Sequence, residues 1–544
     1  MNTKFTSLVI SIALFAGLNA KAQITPTPVS DTIDINDISA LMYADGMDFW
    51  NQKTGLPFYK APKTGNVCSI FDAGIWIGGL DVGGKLHMAA STYKQRGTDF
   101  WPGPIMDSLN YSSHQDTLWN KIWKVNKSTI DSFRQGKCVG IPASIKNWPG
   151  DGNVALGEMA HLAPYVDSNH NGYYDPAGGD YPLIRGDQAM YMIYNDDRGF
   201  KHGESGGIKM GIEVHLMAYQ FNTPADSVVN QTTFLHYDIY NLSTNAYDSV
   251  YLGYWCDMDV GNGGMNYLGC DSANNYWYTY ECSNSDPDGS GQFAGENGYL
   301  NHLPAQAVAY LCDSMSHFMY YRNDFTVMGN PKADTASSYY GYLKNMWLDS
   351  THVTYGGNGY GGSTKSNYFY SGNPVTLSGW TEPGDGDPCQ DVRGLSSMGP
   401  LTFAAGKALT MDIALVFAQT TIPNNQYSVA ALGPDITHVR GFYSAQGYGC
   451  STTLLGINEP KAEQNVVAKL YPNPFNKSAT LFVNTELKNA ELNVYDMFGR
   501  EVYNMNNIYT QYIPINRNQL ANGMYFYTIT NDGARVANGK FIIQ

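Results

Sequence analysis

The sequence predicts a mainly β protein: a large antiparallel β body with a few short helices, followed by a C-terminal immunoglobulin-like β-sandwich. Three observations carry the prediction. Apolar and polar residues alternate at period two in several stretches, the pattern of a strand with distinct faces. Glycine and tyrosine are abundant, 57 and 41 of 544 residues, while charged residues make up 15%; that usage suits a loop-rich β protein whose rings fill pleated surfaces. Clusters of Asn, Asp, Ser and Gly then separate short apolar runs, as they do in sandwiches.

Length leaves room for several domains of about 150 residues each. The net charge of −15 opposes binding to nucleic acid or to an anionic membrane surface, and favours hard divalent cations. Eight cysteines, at 68, 138, 256, 270, 282, 312, 389 and 450, are an even count that permits disulfides. No Cys-x-x-Cys occurs, so neither a zinc ribbon nor a thioredoxin-type pair is supported. The closeness of Cys256, Cys270 and Cys282 suggests one local bridge, with buried free thiols as the alternative.

Residues 1–22 read as a signal peptide: Lys4 gives a positive start, Leu8 to Leu18 is a short apolar run, and Ala20-Lys21-Ala22 fits the cleavage rule. That run is too short to cross a bilayer, which needs about 20 residues, so no transmembrane segment is expected in the mature chain. Residues 23–160 form an expected N-terminal β-rich region. Within it Gly74-Ile75-Trp76-Ile77 turns at Asp81-Val82-Gly83-Gly84 and returns through Leu86, Met88 and Ala90, a hairpin. Asp99-Phe100-Trp101-Pro102 reads as a structural corner, and 105–150 as helix and loop.

Residues 161–449 are expected to form the central antiparallel β body with short helices. It opens on Asp167-Ser168-Asn169-His170-Asn171-Gly172-Tyr173-Tyr174-Asp175, which matches the start of a calcium loop. Side-chain oxygens stand at positions 1, 3 and 5, Gly at 6 permits the turn, and the Tyr173 carbonyl can join. Position 12 is Gly178 rather than an acid, which leaves Asp175 and Asp180 as replacements, with Asp187 further off. Ca²⁺ bound by Asp167, Asn169, Asn171, Tyr173, Asp175 and Asp180 is therefore expected in a structural role. An Asx-rich turn bonded to its own backbone is the alternative.

Gly203-Glu204-Ser205-Gly206-Gly207 satisfies Gly-x-Ser-x-Gly, but no apolar strand precedes it and no helix follows, as a nucleophile elbow requires. No His-Glu-x-x-His occurs. From 206 the chain reads as a meander of three strands, with Ile208, Met210, Ile212, Val214 and Leu216 alternating with Lys209, Gly211, Glu213 and His215. In the third, Asp248 to Asp259, residues Trp255, Asp257 and Asp259 share one face. With Asp271 nearby, paired carboxylates of this kind suit glycoside hydrolysis, whereas strand-end aspartates more often face solvent or a metal. No catalytic residue is assigned. A helix is predicted at 334–348, a central strand at 409–417, and two short helices broken at Gly433-Pro434. Residues 450–468 read as a linker.

Residues 469–544 carry the remaining alternation. Ala490, Leu492 and Val494 alternate with Glu491, Asn493 and Tyr495; Met524, Phe526 and Thr528 alternate with Tyr525, Tyr527 and Ile529; and Asn531-Asp532-Gly533 is a hairpin signal. The tail also holds Tyr471-Pro472-Asn473-Pro474, Gly499-Arg500, Gly523-Met524-Tyr525 and Lys540 near the end. In combination these resemble the type A C-terminal sorting domain of Bacteroidetes type IX secretion system cargo. The resemblance implies a secreted or outer-membrane surface location reached through the periplasm, with the translocon and a sortase-like peptidase as partners. Segments 72–79, 175–188 and 391–400 are similar to stretches of secreted Bacteroidetes proteins of unassigned activity. The body is accordingly expected to be a non-catalytic surface or adhesive module whose partner is a surface glycan. The alternative is an extracellular polysaccharide hydrolase or carbohydrate-binding protein.

Overall fold

The strongest alternating runs become strands whose two faces point into two different cores. The computed structural model describes residues 27–93, 97–198, 202–287, 298–422, 424–448, 468–496, 500–517, 520–531 and 534–544. They fall into two compact units, Met1–Thr452 and Thr453–Gln544. The expected signal peptide and nearly all of the expected linker lie outside the described residues.

The first unit is built on a nine-stranded antiparallel sheet. Its main path runs Trp123–Asn126, Gln188–Asn195, Ile212–Gln220, Thr232–Asn241, Ala408–Gln419, Pro304–Tyr310, Tyr276–Glu281 and Asn266–Asp271, with Trp101–Pro102 added against Gln188–Asn195. Strands from either side of residue 160 thus share one sheet. Met192, Tyr194, Val214, Leu216, Leu235, Tyr237, Ile413 and Leu415 belong to one core. Their neighbours Tyr191, Ile193, Met217, Tyr219, Phe234, Ala414 and Val416 belong to another, as period two dictates when both faces are covered.

A five-stranded sheet covers the first face, in the order His317–Arg322, Val392–Phe403, Tyr247–Asp257, Asp72–Asp81 and Leu86–Ala90. The predicted hairpin is its edge. The expected three-strand meander is corrected here: Ile212–Gln220 and Thr232–Asn241 pair, but Tyr247–Asp257 crosses to the second sheet, between Asp72–Asp81 and Val392–Phe403. Its apolar residues, Trp255 and Tyr254 among them, are needed in the core between the sheets. The predicted strand at 206 also starts later, at Ile212. Gly211 has φ +74°, and the Asp196 carboxylate takes the N–H groups of Met210, Gly211 and Ile212.

The second face is covered by one helix, Asn425–Ala445, where two were expected. Val429, Leu432, Ile436, Val439 and Tyr443 form its buried stripe. Pro434 removes one N–H and ordinarily breaks a helix, but burial of a stripe running on both sides of it keeps the helix in one piece. Helix 334–348 is shorter than predicted, Ala336–Tyr342. Cys282 is bridged to Cys389, 107 residues away, so the local bridge is also corrected: Cys256 and Cys270 are buried free thiols. They lie on strands of different sheets.

The second unit is an immunoglobulin-like β-sandwich. Ala468–Tyr471, Ser478–Val483 and Tyr512–Asn516 make a three-stranded sheet; Glu501–Ile508, Ala490–Tyr495, Gly523–Asn531 and Ala534–Ile543 make a four-stranded one. Leu481, Val483, Leu492, Val494, Ile513, Ile529 and Phe541 fill the space between them.

Buried charge ties the first unit together. Asp412 receives Arg185 at 2.7 Å and His236 Nδ1 at 2.9 Å, while His236 Nε2 lies 3.2 Å from Asp238. Burial pulls the imidazole down, but the Asp412 and Asp238 carboxylates outweigh it and raise His236 to about 9. A folded-state value above the unfolded one gives stability present below about pH 6.5 and lost as pH rises through about 9. Urea unfolding of the chain at pH 6 and pH 9 is expected to show that loss, at up to about 1.4 kcal/mol per pH unit, and His236→Gln is expected to flatten it.

Candidate functional site

The ends of antiparallel neighbours place a cleft at one end of the interior strands of the five-stranded sheet. Tyr247–Asp257 ends where Val392–Phe403 and Asp72–Asp81 begin. Asp257, Asp259, Asp391, Arg393 and Phe71 therefore meet, although they are distant in sequence. Asn323 follows the end of His317–Arg322, and Tyr93 follows Leu86–Ala90. With Trp50 and Gly55 these residues line a cleft of about 230 Å³.

Arg393 organises it. Its Nη2 lies 3.0 Å from Asp257 Oδ2, its Nη1 bonds Asp391 Oδ1, and its Nε donates to the Tyr93 hydroxyl at 2.8 Å. The same hydroxyl donates to Asp257 Oδ2. Asn323 Nδ2 donates to Asp391 Oδ2 at 2.8 Å. Asp257 is 1% exposed. Burial drives its carboxyl up, Arg393 opposes that and Asp391 adds to it, leaving it at about 7. The Tyr93 ring packs edge-on to Trp255, Phe71 and Trp50. Trp255 itself stacks on Trp76 with centroids 6.1 Å apart.

Of the aspartates singled out in the sequence, Asp257 and Asp259 reach the cleft. Asp271 does not line it: its carboxylate accepts from Asn274 in the turn Asp271–Asn274. Asp391, Arg393 and Tyr93 were not foreseen as site residues. The available signal was that 72–79 and 391–400 both stood out as familiar segments, and these two flank Asp257.

The expected calcium residues lie elsewhere. Asp167 accepts from Gly172 N at 2.8 Å and from Asn171 N at 3.2 Å; Asn169 Oδ1 accepts from Asn171 N at 3.0 Å, and Asn171 Oδ1 from Tyr173 N at 2.9 Å. Those backbone bonds, Gly172's first, hold the Asp167 carboxyl below its ordinary value. Asp180 is buried and accepts from Ser168 N and Asp175 N, each at 2.7 Å. Asp175 caps the short turn Pro176–Gly178 through Ala177 N. Ser205 of the Gly-x-Ser-x-Gly run is fully buried, its hydroxyl donating to the Met88 carbonyl at 3.3 Å, which suits a structural residue.

In the second unit the motif residues converge on the last strand. Asn473 Oδ1 accepts from Ile542 N at 2.9 Å, and Asn473 Nδ2 donates to the Lys540 carbonyl at 3.4 Å. Phe475 N donates to Ile542 O at 3.1 Å, Gln544 N donates to Phe475 O at 3.0 Å, and the Phe475 ring packs on Phe541. The segment Tyr471–Pro474 is thus closed onto the C-terminal strand. Tyr525 is buried, whereas Tyr471 is exposed and Gly523 begins Gly523–Asn531 with open space around it. Arg500 Nε donates to Asp496 at 2.8 Å. Gly499 lies outside the described residues.

No curated protein matches the chain in sequence. Among solved structures it is similar to a polysaccharide lyase (6% identity, TM-score 0.19, 71% of this chain and 40% of that one). It is also similar to the adhesin domain of Epf from Streptococcus pyogenes (8%, 0.12, 62% and 93%). A third is PorZ, a surface component of the type-IX secretion system of Porphyromonas gingivalis (8%, 0.14, 94% and 75%). The chain spans 40% of the lyase's length, and likeness at these scores identifies no activity. Among the described residues no helix is long and apolar enough to cross a membrane. Residues 469–544 match the family described as the secretion system C-terminal sorting domain, and the chain that carries them is cargo of the type IX secretion system, delivered to the cell surface or the extracellular space.

Proposed function

We propose that the body is a non-catalytic surface module, adhesive in character, that meets a surface glycan at the cleft between Trp50 and Asp391. The observation that carries this reading is the bonding of the cleft's acids. Asp257 Oδ2 is held by Arg393 and Tyr93, and both Asp391 oxygens are held by Arg393 and Asn323. Oxygens so committed fix the surface of the cleft. Aromatic edges beside amide, hydroxyl and guanidinium groups are the mixture with which sugars are bound. A second reading, an extracellular polysaccharide hydrolase, is favoured by one observation: oxygens of Asp257, Asp259 and Asp391 approach within 4.8 Å of one another, near the carboxyl separation of about 5 Å in retaining glycosidases.

Residues 1–22 serve in this proposal as the signal peptide for the first membrane, and a sortase-like peptidase removes the tail after the second. Calcium in loop 167–180 belongs to the same proposal as a structural ion. The oxygens of Asp167, Asn169 and Asn171 that accept backbone N–H groups each keep a further lone pair, so Asx bonding and ion binding are compatible there.

Three outcomes are expected. Truncation before Tyr471 in a host with the secretion system leaves the product inside the cell envelope; continued export would defeat the assignment of the tail. On a glycan array with a parallel reducing-sugar assay, the full chain binds without turnover, and turnover would favour the hydrolase. Added Ca²⁺ raises the melting temperature of the chain, and Asp167→Asn cuts that rise; an unchanged melting curve would dismiss the loop as an ion site.

A further inference from the structure

We propose that a hard divalent cation, calcium by its ligand chemistry, occupies the cleft between Asp257, Asp259 and Asp391. The site concerns the surface assigned above to a glycan and would place an ion within it. It depends on that reading only for its biological use, since its own evidence is the cleft.

Two independent observations point to an ion. The first is convergence: Asp257 and Asp259 come from the end of one strand and Asp391 from the start of the next, and one oxygen of each lies within 4.8 Å of the other two. An oxygen-only donor set at that spacing suits Ca²⁺, which takes six to eight hard oxygens at about 2.4 Å. The second is an orphaned atom. Asp257 is 1% exposed, lines the cleft, and among the described residues its Oδ1 has no hydrogen-bond partner, although Oδ2 has two. A buried carboxylate oxygen left unbonded destabilises the folded chain, and a cation at that oxygen removes the cost.

The surroundings complete the geometry. Arg393 bonds Asp257 through Oδ2 and Asp391 through Oδ1, and so sits against the edges of these carboxylates. Asn323 steadies Asp391 through Oδ2. A cleft of about 230 Å³ has room for the waters that fill the remaining positions. Open positions on such an ion are also where vicinal hydroxyls of a sugar would bind, which links the ion to the proposed adhesive role.

The test uses the full chain, stripped with chelator and then titrated with CaCl₂, MgCl₂ or TbCl₃. Tb³⁺ luminescence excited through nearby Tyr93 and Trp50 reports occupancy of this cleft. Measured in the Asp167→Asn background, which removes the ion proposed for the other loop, the expected result is saturable luminescence displaced by Ca²⁺ and weakened about tenfold or more by adding Asp391→Asn or Asp259→Asn. Two carboxamide variants guard against one that misfolds, and far-ultraviolet circular dichroism checks both. In that background, luminescence that survives both folded variants overturns the proposal, as does the loss of all luminescence with Asp167→Asn alone. Ion binding without glycan binding leaves this site standing and removes the adhesive reading alone.

Discussion

The nine-stranded sheet of the body is buried on both faces, and the remaining architecture of that unit follows from this constraint. A strand with one face in water can keep its partners loosely; one with two cores must hold its register, because a slip of one residue exchanges every side chain between them. Tyr191 and Met192, or Tyr219 and Ala218, are neighbours in sequence and belong to different cores. The second sheet and the long helix exist to cover those faces. Their apolar residues have no other place to go.

Covering a sheet twice forces polar residues inside as well. Glu213 and His215, which the alternation places opposite Val214 and Leu216, are buried and bonded to each other at 2.7 Å. Asp412 is buried between Arg185 and His236. The acids beside Arg393 are the same phenomenon at the strand ends of the second sheet, with an opening to solvent. Buried charge of this kind specifies an arrangement through hydrogen bonds more than it stabilises one. That is why the cleft's geometry depends on a single guanidinium that touches two carboxylates and a tyrosine.

The sorting domain follows a different logic. Its core is its own: Phe475 and Ala479 at its start pack with Phe541 and Ile543 at its end. Residues 469–544 thus carry a core of their own. The closure of Asn473 and Phe475 onto the last strand brings the Tyr471–Pro474 motif at one end of the domain to Lys540 at the other.

Strand identity, the mainly β class, the hairpin at Asp81 and the sorting tail were all legible in the residues, because period-two alternation and turn chemistry act over neighbours. Gly433-Pro434 misled for the same reason: a local breaker signal was outweighed by a stripe of five buried side chains that only the sheet beneath could reward. Pairing of Tyr247–Asp257 with the second sheet, the Cys282–Cys389 bridge and the meeting of Asp257 with Asp391 and Arg393 join positions separated by a hundred residues or more. Alternation states which face a residue takes, but it carries no address for the strand that will lie beside it. The chain's destination was therefore written locally, whereas its cleft came into being only when distant strand ends were laid edge to edge.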